Sequence, residues 1–124
     1  MPVNPGKKTI MIVDDHEGIY LLLGSLLEEK GLTVVTFGSP EPAITHILNF
    51  DVDLIVSDYN MPGMNGVRLL TIAREIRPAV KVLLMSANPS MIDDNNAHYR
   101  VIEKYIGFFG EAVEVICGLL NNSE

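Results

Sequence analysis

The chain is poor in cysteine and in long apolar runs. Its 124 residues include one cysteine, Cys117, so an internal disulfide is impossible and a reducing compartment is favoured. The apolar run near the N-terminus covers Ile10–Val13 and ends at two aspartates, which is too short for the core of a signal peptide. No stretch approaches the roughly 20 apolar residues of a membrane span. These absences predict a cytoplasmic protein that does not bind a membrane.

Basic residues are also few. Nine Lys and Arg stand against 16 Asp and Glu, for a formal net charge of −7, and only Lys7 and Lys8 are adjacent. Because phosphate backbones are bound by clustered basic side chains, we expect no nucleic acid to bind this domain. The length and the 48% hydrophobic content favour one domain with a buried core. We expect a single domain over residues 1–124, with its core at about 8–121 and no output domain.

Short apolar runs alternate with amphipathic segments, a pattern typical of βα units packed on a parallel sheet. The predicted strands are Lys8–Val13, Leu32–Phe37, Asp53–Ser57, Lys81–Met85 and Arg100–Glu103. Four helices are predicted with a clear apolar face. The first contains Ile19–Leu27, the second begins at Ser39, the third follows the loop at 58–66, and the last covers Phe109–Leu120. Between Asn88 and His98 the helical pattern is weak, because Asp93–Asn96 are poor helix formers, so we expect a short or irregular fourth helix.

Polar residues directly follow four of these apolar runs. They are Asp14 and Asp15, Asp58, Ser86, and Lys104. Ligands bind at the carboxyl ends of parallel strands, so we expect these side chains at one edge of the sheet. Crowded carboxylates coexist in ionised form only beside a cation, and an ammonium and a hydroxyl suit a phosphoryl group. The pattern therefore predicts a phosphate-handling pocket with a hard divalent cation.

The same residues resemble the response-regulator receiver domains of two-component signalling. Asp14-Asp15 resembles the family's acidic pair, and Asp58–Gly66 resembles its phosphoacceptor loop with Met-Pro and a later glycine. Ser86-Ala87 resembles the hydroxyl-plus-small pair, and Lys104 the family lysine. Each piece alone is a weak motif, but four in order at successive strand ends are specific. The resemblance covers nearly the whole chain and implies a flavodoxin-like, doubly wound (βα)5 sandwich with a five-stranded parallel sheet of order 2-1-3-4-5.

The resemblance also implies a metal-assisted phosphoacceptor. A histidine kinase, a phosphotransfer protein or a small phosphodonor would transfer a phosphoryl group to Asp58 in the presence of Mg²⁺ or Mn²⁺. The implied metal ligands are Asp15, Asp58 and the backbone carbonyl of Asn60, with Asp14 acting partly through water. Such a module is a stoichiometric phosphoacceptor and not an enzyme; it changes the binding of a downstream protein or relays the phosphate.

Further residues are assigned by the same resemblance to the phosphoryl group itself. Ser86 and Lys104 would contact its oxygens. Asn60 and Asn88 occupy positions that flank the group in the family, so they are expected to tune the lifetime of the acyl phosphate. No other cofactor is implied.

Three features depart from the family pattern. Tyr105 follows Lys104 where the family usually has proline, so the cis peptide often found there is not expected, since without proline it costs about 2.5–4 kcal/mol. Val101 stands where the family has its switch aromatic, and Tyr99 lies two residues earlier, facing the same side by strand alternation. The segment from Ser86 to Lys104 is also a few residues short. We therefore expect intact phosphorylation and unconventional signal transmission.

Two other functions remain open. The departures lie on the side formed by the fourth helix, fifth strand and last helix, which is compatible with an interaction module that works without phosphorylation. A Mg²⁺-dependent phosphohydrolase with Asp58 as nucleophile is less favoured, because such enzymes of the haloacid-dehalogenase type carry a second aspartate where Asn60 stands. His16, next to the acidic pair, is interpreted as a helix-surface residue that can shape access to the pocket.

Overall fold

The computed structural model describes residues 7–92 and 99–121, and there it forms an alternating βα chain. The strands are β1 (Thr9–Val13), β2 (Thr33–Phe37), β3 (Leu54–Asp58), β4 (Lys81–Ser86) and β5 (Val101–Glu103). The α-helices are α1 (Glu17–Glu29), α2 (Pro40–Asn49), α3 (Gly66–Ile76) and α4 (Phe109–Asn121). All strand pairs are parallel, in the order β2-β1-β3-β4-β5, which confirms the predicted sheet.

The central strands β1, β3 and β4 are buried on both faces of the sheet, which explains why they are nearly continuous apolar runs. Successive residues of a strand point to opposite faces. In β1, Ile10 and Ile12 pack into a cluster with residues of α1 and α4, whereas Met11 and Val13 pack into a second cluster with α2 and α3. Two helices cover each face, and in such sheets ligands bind at the carboxyl ends of the strands.

Local signals set the ends of the helices largely as predicted. Gly31 follows α1 at φ 87°, and its amide donates to the Glu28 carbonyl, so it terminates the helix. Ser39 is the N-cap residue of α2 and is followed by Pro40, but the Ser39 side chain makes no capping hydrogen bond. Asn65 does cap α3 by accepting a backbone hydrogen bond in the first turn. The prediction that this helix begins at Ser39 is confirmed.

The segment after β4 differs most from a regular βα unit. It forms a single 3-10 turn at Pro89–Met91. The poor helix formers Asp93–Asn96 lie outside the described residues, so the prediction about them stays a prediction. Elsewhere the predicted strand ends are off by about one residue: β3 runs from Leu54 through Asp58, so Asp58 itself belongs to the strand.

Tyr99 and Val101 face the same side of the sheet, as alternation predicted. Both pack against the cluster that α2 and α3 cover. The Tyr99 hydroxyl lies 3.0 Å from Thr71 Oγ1, and the Arg74 guanidinium lies 5.5 Å from the centre of the Tyr99 ring. The aromatic ring that precedes β5 is thus tied to α3 by a hydrogen bond and a cation–π contact. The peptide bond between Lys104 and Tyr105 is trans.

The helices of the described residues are short. The longest, α1 and α4, have 13 residues each. Within 7–92 and 99–121, none combines the length and the apolar character needed to cross a bilayer.

Candidate functional site

Strand register brings the predicted polar residues to one edge of the sheet. Val13 pairs with Ser57, so Asp14 and Asp58, one residue further on, lie at the same level of neighbouring strands. On the other side of β3, Ser86 pairs with Glu103, which places Lys104 just beyond the pair. The carboxyl edge of the parallel sheet therefore gathers these groups.

Lys104 joins two buried carboxylates at the centre of this edge. Its Nζ lies 2.9 Å from Asp14 Oδ2 and 3.2 Å from Asp58 Oδ1. The side chains of Lys104, Asp14 and Asp58 are 11%, 0% and 5% exposed. One ammonium group thus serves two desolvated carboxylates, and it cannot neutralise both.

Asp15 and His16 form the solvent side of the cluster. The Asp15 side chain is one third exposed (33%), so it is accessible to an ion from solution. His16 Nδ1 lies 3.1 Å from Asp14 Oδ1 and 3.2 Å from Asp15 Oδ1. The interpretation of His16 as a helix-surface residue was therefore incomplete, because its exposed ring lies against both acids. Adjacency to the acidic pair was the only sequence signal for this contact.

The acidic cluster fits a divalent cation. One ligand atom from each of Asp14, Asp15, His16 and Asp58 can be chosen so that all lie within 4.8 Å of one another. Three carboxylates against one lysine leave excess negative charge, which a divalent ion would neutralise. Carboxylate oxygens are the donors that Mg²⁺ and Mn²⁺ take in proteins.

The three remaining predicted residues lie at the same edge, and no hydrogen bond among the described residues joins their side chains to the acidic cluster. The buried Ser86 hydroxyl accepts a hydrogen bond from the backbone amide of Asn88 at 3.0 Å. The Asn88 side chain is exposed and accepts from the Ser90 hydroxyl at 3.1 Å. Asn60 is exposed just after β3. Ser86 and both asparagines are therefore near the edge, and the described contacts do not assign their side chains to a ligand.

Hydrogen bonds and close packing hold the backbone at Asp58 in place. The Ser57 hydroxyl donates to the Asp58 carbonyl at 2.9 Å, and the Tyr59 amide donates to the Met85 carbonyl at 2.8 Å. The first residue of α3, Gly66, lies so close that an added Cβ would collide with the Asp58 carbonyl oxygen. The absence of a side chain at Gly66 lets α3 begin directly against the end of β3. The sequence identified this glycine as part of the loop motif, but not this contact.

The environment of Asp58 disfavours its ionised form. Burial raises the pKa of Asp58 above the ordinary 3.8, and the negative charges of Asp14 and Asp15 raise it further. The charge and hydrogen bond of Lys104 act in the opposite direction without cancelling the rise. The folded protein thus holds an Asp58 carboxylate that is less stable than in water, which is the condition for strong binding of a neutralising cation.

This raised pKa predicts that Asp58→Asn stabilises the protein at neutral pH. The folded state binds the Asp58 proton more tightly than the unfolded state, so stability falls as pH rises from about 3.8 through the folded pKa. Removing the charge should raise the free energy of unfolding at pH 7 by about 0.5–2 kcal/mol, a usual gain from relieving one unfavourable site. Urea denaturation measures this gain, which should disappear below pH 3.8.

Asp51→Asn serves as the control, because the Asp51 side chain is 93% exposed and forms an ion pair with Arg77 at the surface. The free energy of unfolding of Asp51→Asn should differ from that of the wild type by no more than about 0.5 kcal/mol. A destabilised Asp58→Asn at pH 7 would contradict the unfavourable environment assigned to this carboxylate.

Comparison with known proteins assigns the family. The family model described as the response regulator receiver domain matches residues 10–107. The chain belongs to the response regulator receiver domain family. It is similar to the transcriptional regulatory protein GlrR of Escherichia coli K12, 32% identical over 84 residues, which cover 68% of this chain and 19% of that protein. The chain thus matches about a fifth of the length of this curated relative.

Solved structures support the same fold. A CheY-like receiver domain protein from Methanospirillum hungatei has a TM-score of 0.84 at 25% identity, covering 95% of this chain and 97% of the other. The response regulator TrrA of Thermotoga maritima, solved with Mg²⁺ and BeF, has a TM-score of 0.80 at 28% identity, covering 90% and 98%. TrrA was also solved in complex with the histidine kinase ThkA. Receiver domains of this family are phosphoacceptor signalling modules, and this chain shares their fold.

Proposed function

We propose that this chain accepts a phosphoryl group on Asp58 and thereby controls or relays a signal. The observation that carries the proposal is the position of Asp58: a buried carboxylate at a strand end, 3.2 Å from the Lys104 ammonium and grouped with Asp14 and Asp15. Phosphoryl transfer requires positioning and neutralisation of charge more than covalent help. This arrangement supplies both.

The proposed step exchanges one bond to phosphorus for another. A carboxylate oxygen of Asp58 attacks the phosphorus atom, forming an O–P bond. The bond from phosphorus to the donor breaks, and its electron pair leaves with the donor, which is an acetate oxygen for acetyl phosphate or an imidazole nitrogen for a histidine kinase. Lys104 then binds the phosphoryl oxygens by charge, and the Ser86 hydroxyl donates a hydrogen bond to them.

The acidic cluster would hold Mg²⁺, or Mn²⁺ in its place. The proposed ligands are Asp15, Asp58 and the backbone carbonyl of Asn60, with Asp14 acting partly through water. Two observations support this division: Asp15 is open to solvent, whereas Asp14 is fully buried and already bound to Lys104. When bound there, the ion would supply positive charge beside the carboxylates and the incoming phosphoryl oxygens. The exposed Asn60 and Asn88 are proposed to tune how fast water reaches the acyl phosphate.

The proposed partners are a histidine kinase or a phosphotransfer protein, followed by a downstream protein that senses the phosphorylated state. The complex of TrrA with the kinase ThkA supports this class of partner. The side chains of Tyr105 and Ile106, directly after Lys104, are exposed, so a partner that reaches Asp58 would meet them. We further propose that residues 8–121 form one receiver unit, that it acts in the cytoplasm, and that it binds no nucleic acid, in keeping with its net charge of −7.

The test is stoichiometric labelling of Asp58. Incubation with Mg²⁺ and acetyl phosphate should add the mass of one phosphoryl group, read by intact-protein mass spectrometry. Asp58→Asn should take up none, since the amide is not a nucleophile, and chelation of Mg²⁺ should abolish labelling of the wild type. Asp51 precedes β3, on the side away from Asp58, so Asp51→Asn should be labelled like the wild type. A phosphorylated histidine kinase should be able to replace acetyl phosphate as the donor.

Two results would contradict the proposal. Undiminished labelling of Asp58→Asn would place the phosphate elsewhere. Hydrolysis of a generic phosphomonoester far beyond one equivalent would instead indicate a phosphohydrolase. Asn60 disfavours that activity, because it stands where such enzymes carry their second aspartate.

A further inference from the structure

The acidic cluster contains one nitrogen donor, the imidazole of His16. Its Nδ1 lies 3.1 Å and 3.2 Å from oxygens of Asp14 and Asp15, inside the group of atoms that lie within 4.8 Å of one another. The proposed phosphoacceptor chemistry uses oxygen ligands and gives this ring no role. Imidazole nitrogen and carboxylate oxygen favour different cations, so the ring bears on the choice of ion at this site.

The start of α1 places His16 beside the acidic pair. His16 is the N-cap residue of α1, and its side chain makes no capping hydrogen bond; its Nδ1 lies instead at hydrogen-bond distance from Asp14 Oδ1. Its amide donates to Asp14 Oδ1 at 2.9 Å, which closes a tight turn between Asp14 and His16. The side chain is 67% exposed, so it can reorient toward an ion without repacking the core.

Asp14 has little capacity left for a metal ion. Its Oδ2 accepts from Lys104 at 2.9 Å, and its Oδ1 accepts from the His16 amide. The remaining side chains that reach the cluster are Asp15, Asp58 and His16. These supply two carboxylates and one imidazole, and both kinds of donor are ligands that Zn²⁺ takes in proteins.

We propose that His16 is a further metal ligand, which makes this cation site select nitrogen-binding divalent ions such as Zn²⁺ over Mg²⁺. The inference rests on the cation site of the proposed function. Imidazole suits Zn²⁺ and its neighbours in the transition series, whereas Mg²⁺ takes oxygen ligands. Removing the imidazole therefore weakens Zn²⁺ binding and leaves Mg²⁺ binding nearly unchanged.

The test compares two metals across matched variants at one pH. Calorimetric titration with Zn²⁺ or Mg²⁺ alone is carried out on the wild type, His16→Gln, Asp58→Asn and His46→Gln. Losing an outer partner of a ligand already costs about 10- to 100-fold in metal affinity, so losing the ligand itself should lower Zn²⁺ affinity at least about tenfold. Mg²⁺ affinity of His16→Gln should stay within about twofold. His46, between Phe37 and Phe50, is the control histidine and should affect neither metal.

A spectroscopic signature accompanies the affinities. In protein with ¹⁵N-labelled histidine, Zn²⁺ should shift a ring nitrogen of His16 and leave those of His46 in place. Asp58→Asn should weaken both metals, which locates them at the same site.

Three outcomes would overturn the inference. The first is an unchanged Zn²⁺ affinity in His16→Gln, and the second is an equal loss of Zn²⁺ and Mg²⁺ affinity in that variant. The third is a Zn²⁺ affinity that Asp58→Asn does not change. The proposed function fails separately, when wild-type protein takes up no phosphoryl group on Asp58 with Mg²⁺. Normal labelling together with an unchanged preference between the metals in His16→Gln would therefore reject only the inference about His16.

Discussion

Lys104→Met should destabilise the protein by about 3–5 kcal/mol at pH 7, the usual cost of removing one partner from a buried ion pair. Methionine keeps the length and the apolar stem of lysine but removes the only ammonium that contacts Asp14 and Asp58 among the described residues. Both carboxylates are at most 5% exposed, so water does not replace the lost partner. Urea or thermal denaturation measures the loss of stability.

The pH dependence of Lys104→Met identifies its cause. Lys104 lowers the pKa of Asp58, so its removal raises that pKa further above 3.8. The folded variant then binds a proton that the unfolded chain releases, and its stability increases as pH falls from 7 toward 3.8. The deficit relative to the wild type should therefore shrink in acid, and Mg²⁺ should also reduce it by neutralising the carboxylates.

Two further variants separate charge from packing. Adding Asp14→Asn to Lys104→Met removes one of the unpaired carboxylates and should recover part of the stability. Lys30→Met changes an exposed lysine at the end of α1 and should stay within about 0.5 kcal/mol of the wild type. If Lys104→Met is as stable as Lys30→Met at pH 7, the lysine does not hold the edge of the sheet together.

Gly66→Ala should damage both stability and labelling. The new Cβ would collide with the Asp58 carbonyl oxygen and lie 2.8 Å from Leu84 Cδ2. Backbone cannot yield as a flexible side chain does, so the start of α3 must move away from β3, at a cost of about 1–3 kcal/mol in the free energy of unfolding. Displacement of Asp58 by even part of an ångström should also slow its labelling by acetyl phosphate, by up to about 100-fold.

Gly118→Ala is the matched control for this glycine. Gly118 lies within α4, and an added Cβ there meets nothing within 4 Å. Alanine should stabilise that helix by about 0.5–1 kcal/mol and leave labelling unchanged. Equal stability changes of the two variants would show that the approach of α3 to Asp58 is not tight.

Two features of the site oppose folding while supporting function. Asp58 is buried beside other acids, which raises its pKa, and Lys104 is shared between two carboxylates instead of one. An edge with paired charges would be more stable, but it would have less attraction for a divalent cation. Asp58→Asn and Lys104→Met are therefore expected to change stability in opposite directions, although both remove a charged group from the proposed site.

The sequence alone determined the parallel architecture and which polar residues lie at the carboxyl edge of the sheet. Apolar runs of about five residues between amphipathic segments are a local pattern, and they specified a parallel sheet. The residues that follow those runs had to lie at one edge, because parallel strands all end on the same side. Asp14, Asp58, Ser86 and Lys104 were predictable for that reason, with strand ends about one residue off, since local pattern does not fix where pairing stops.

Tertiary structure decided the contacts among these residues. Lys104 and Asp14 are 90 positions apart, and only strand register places the ammonium 2.9 Å from Asp14 and also in reach of Asp58. The hydrogen bond between Thr71 and Tyr99 likewise depends on how α3 packs against the sheet. A sequence pattern reports which face or edge a residue occupies, because that follows from local periodicity. Distances between side chains depend on register and packing across the whole fold, so no local pattern contains them.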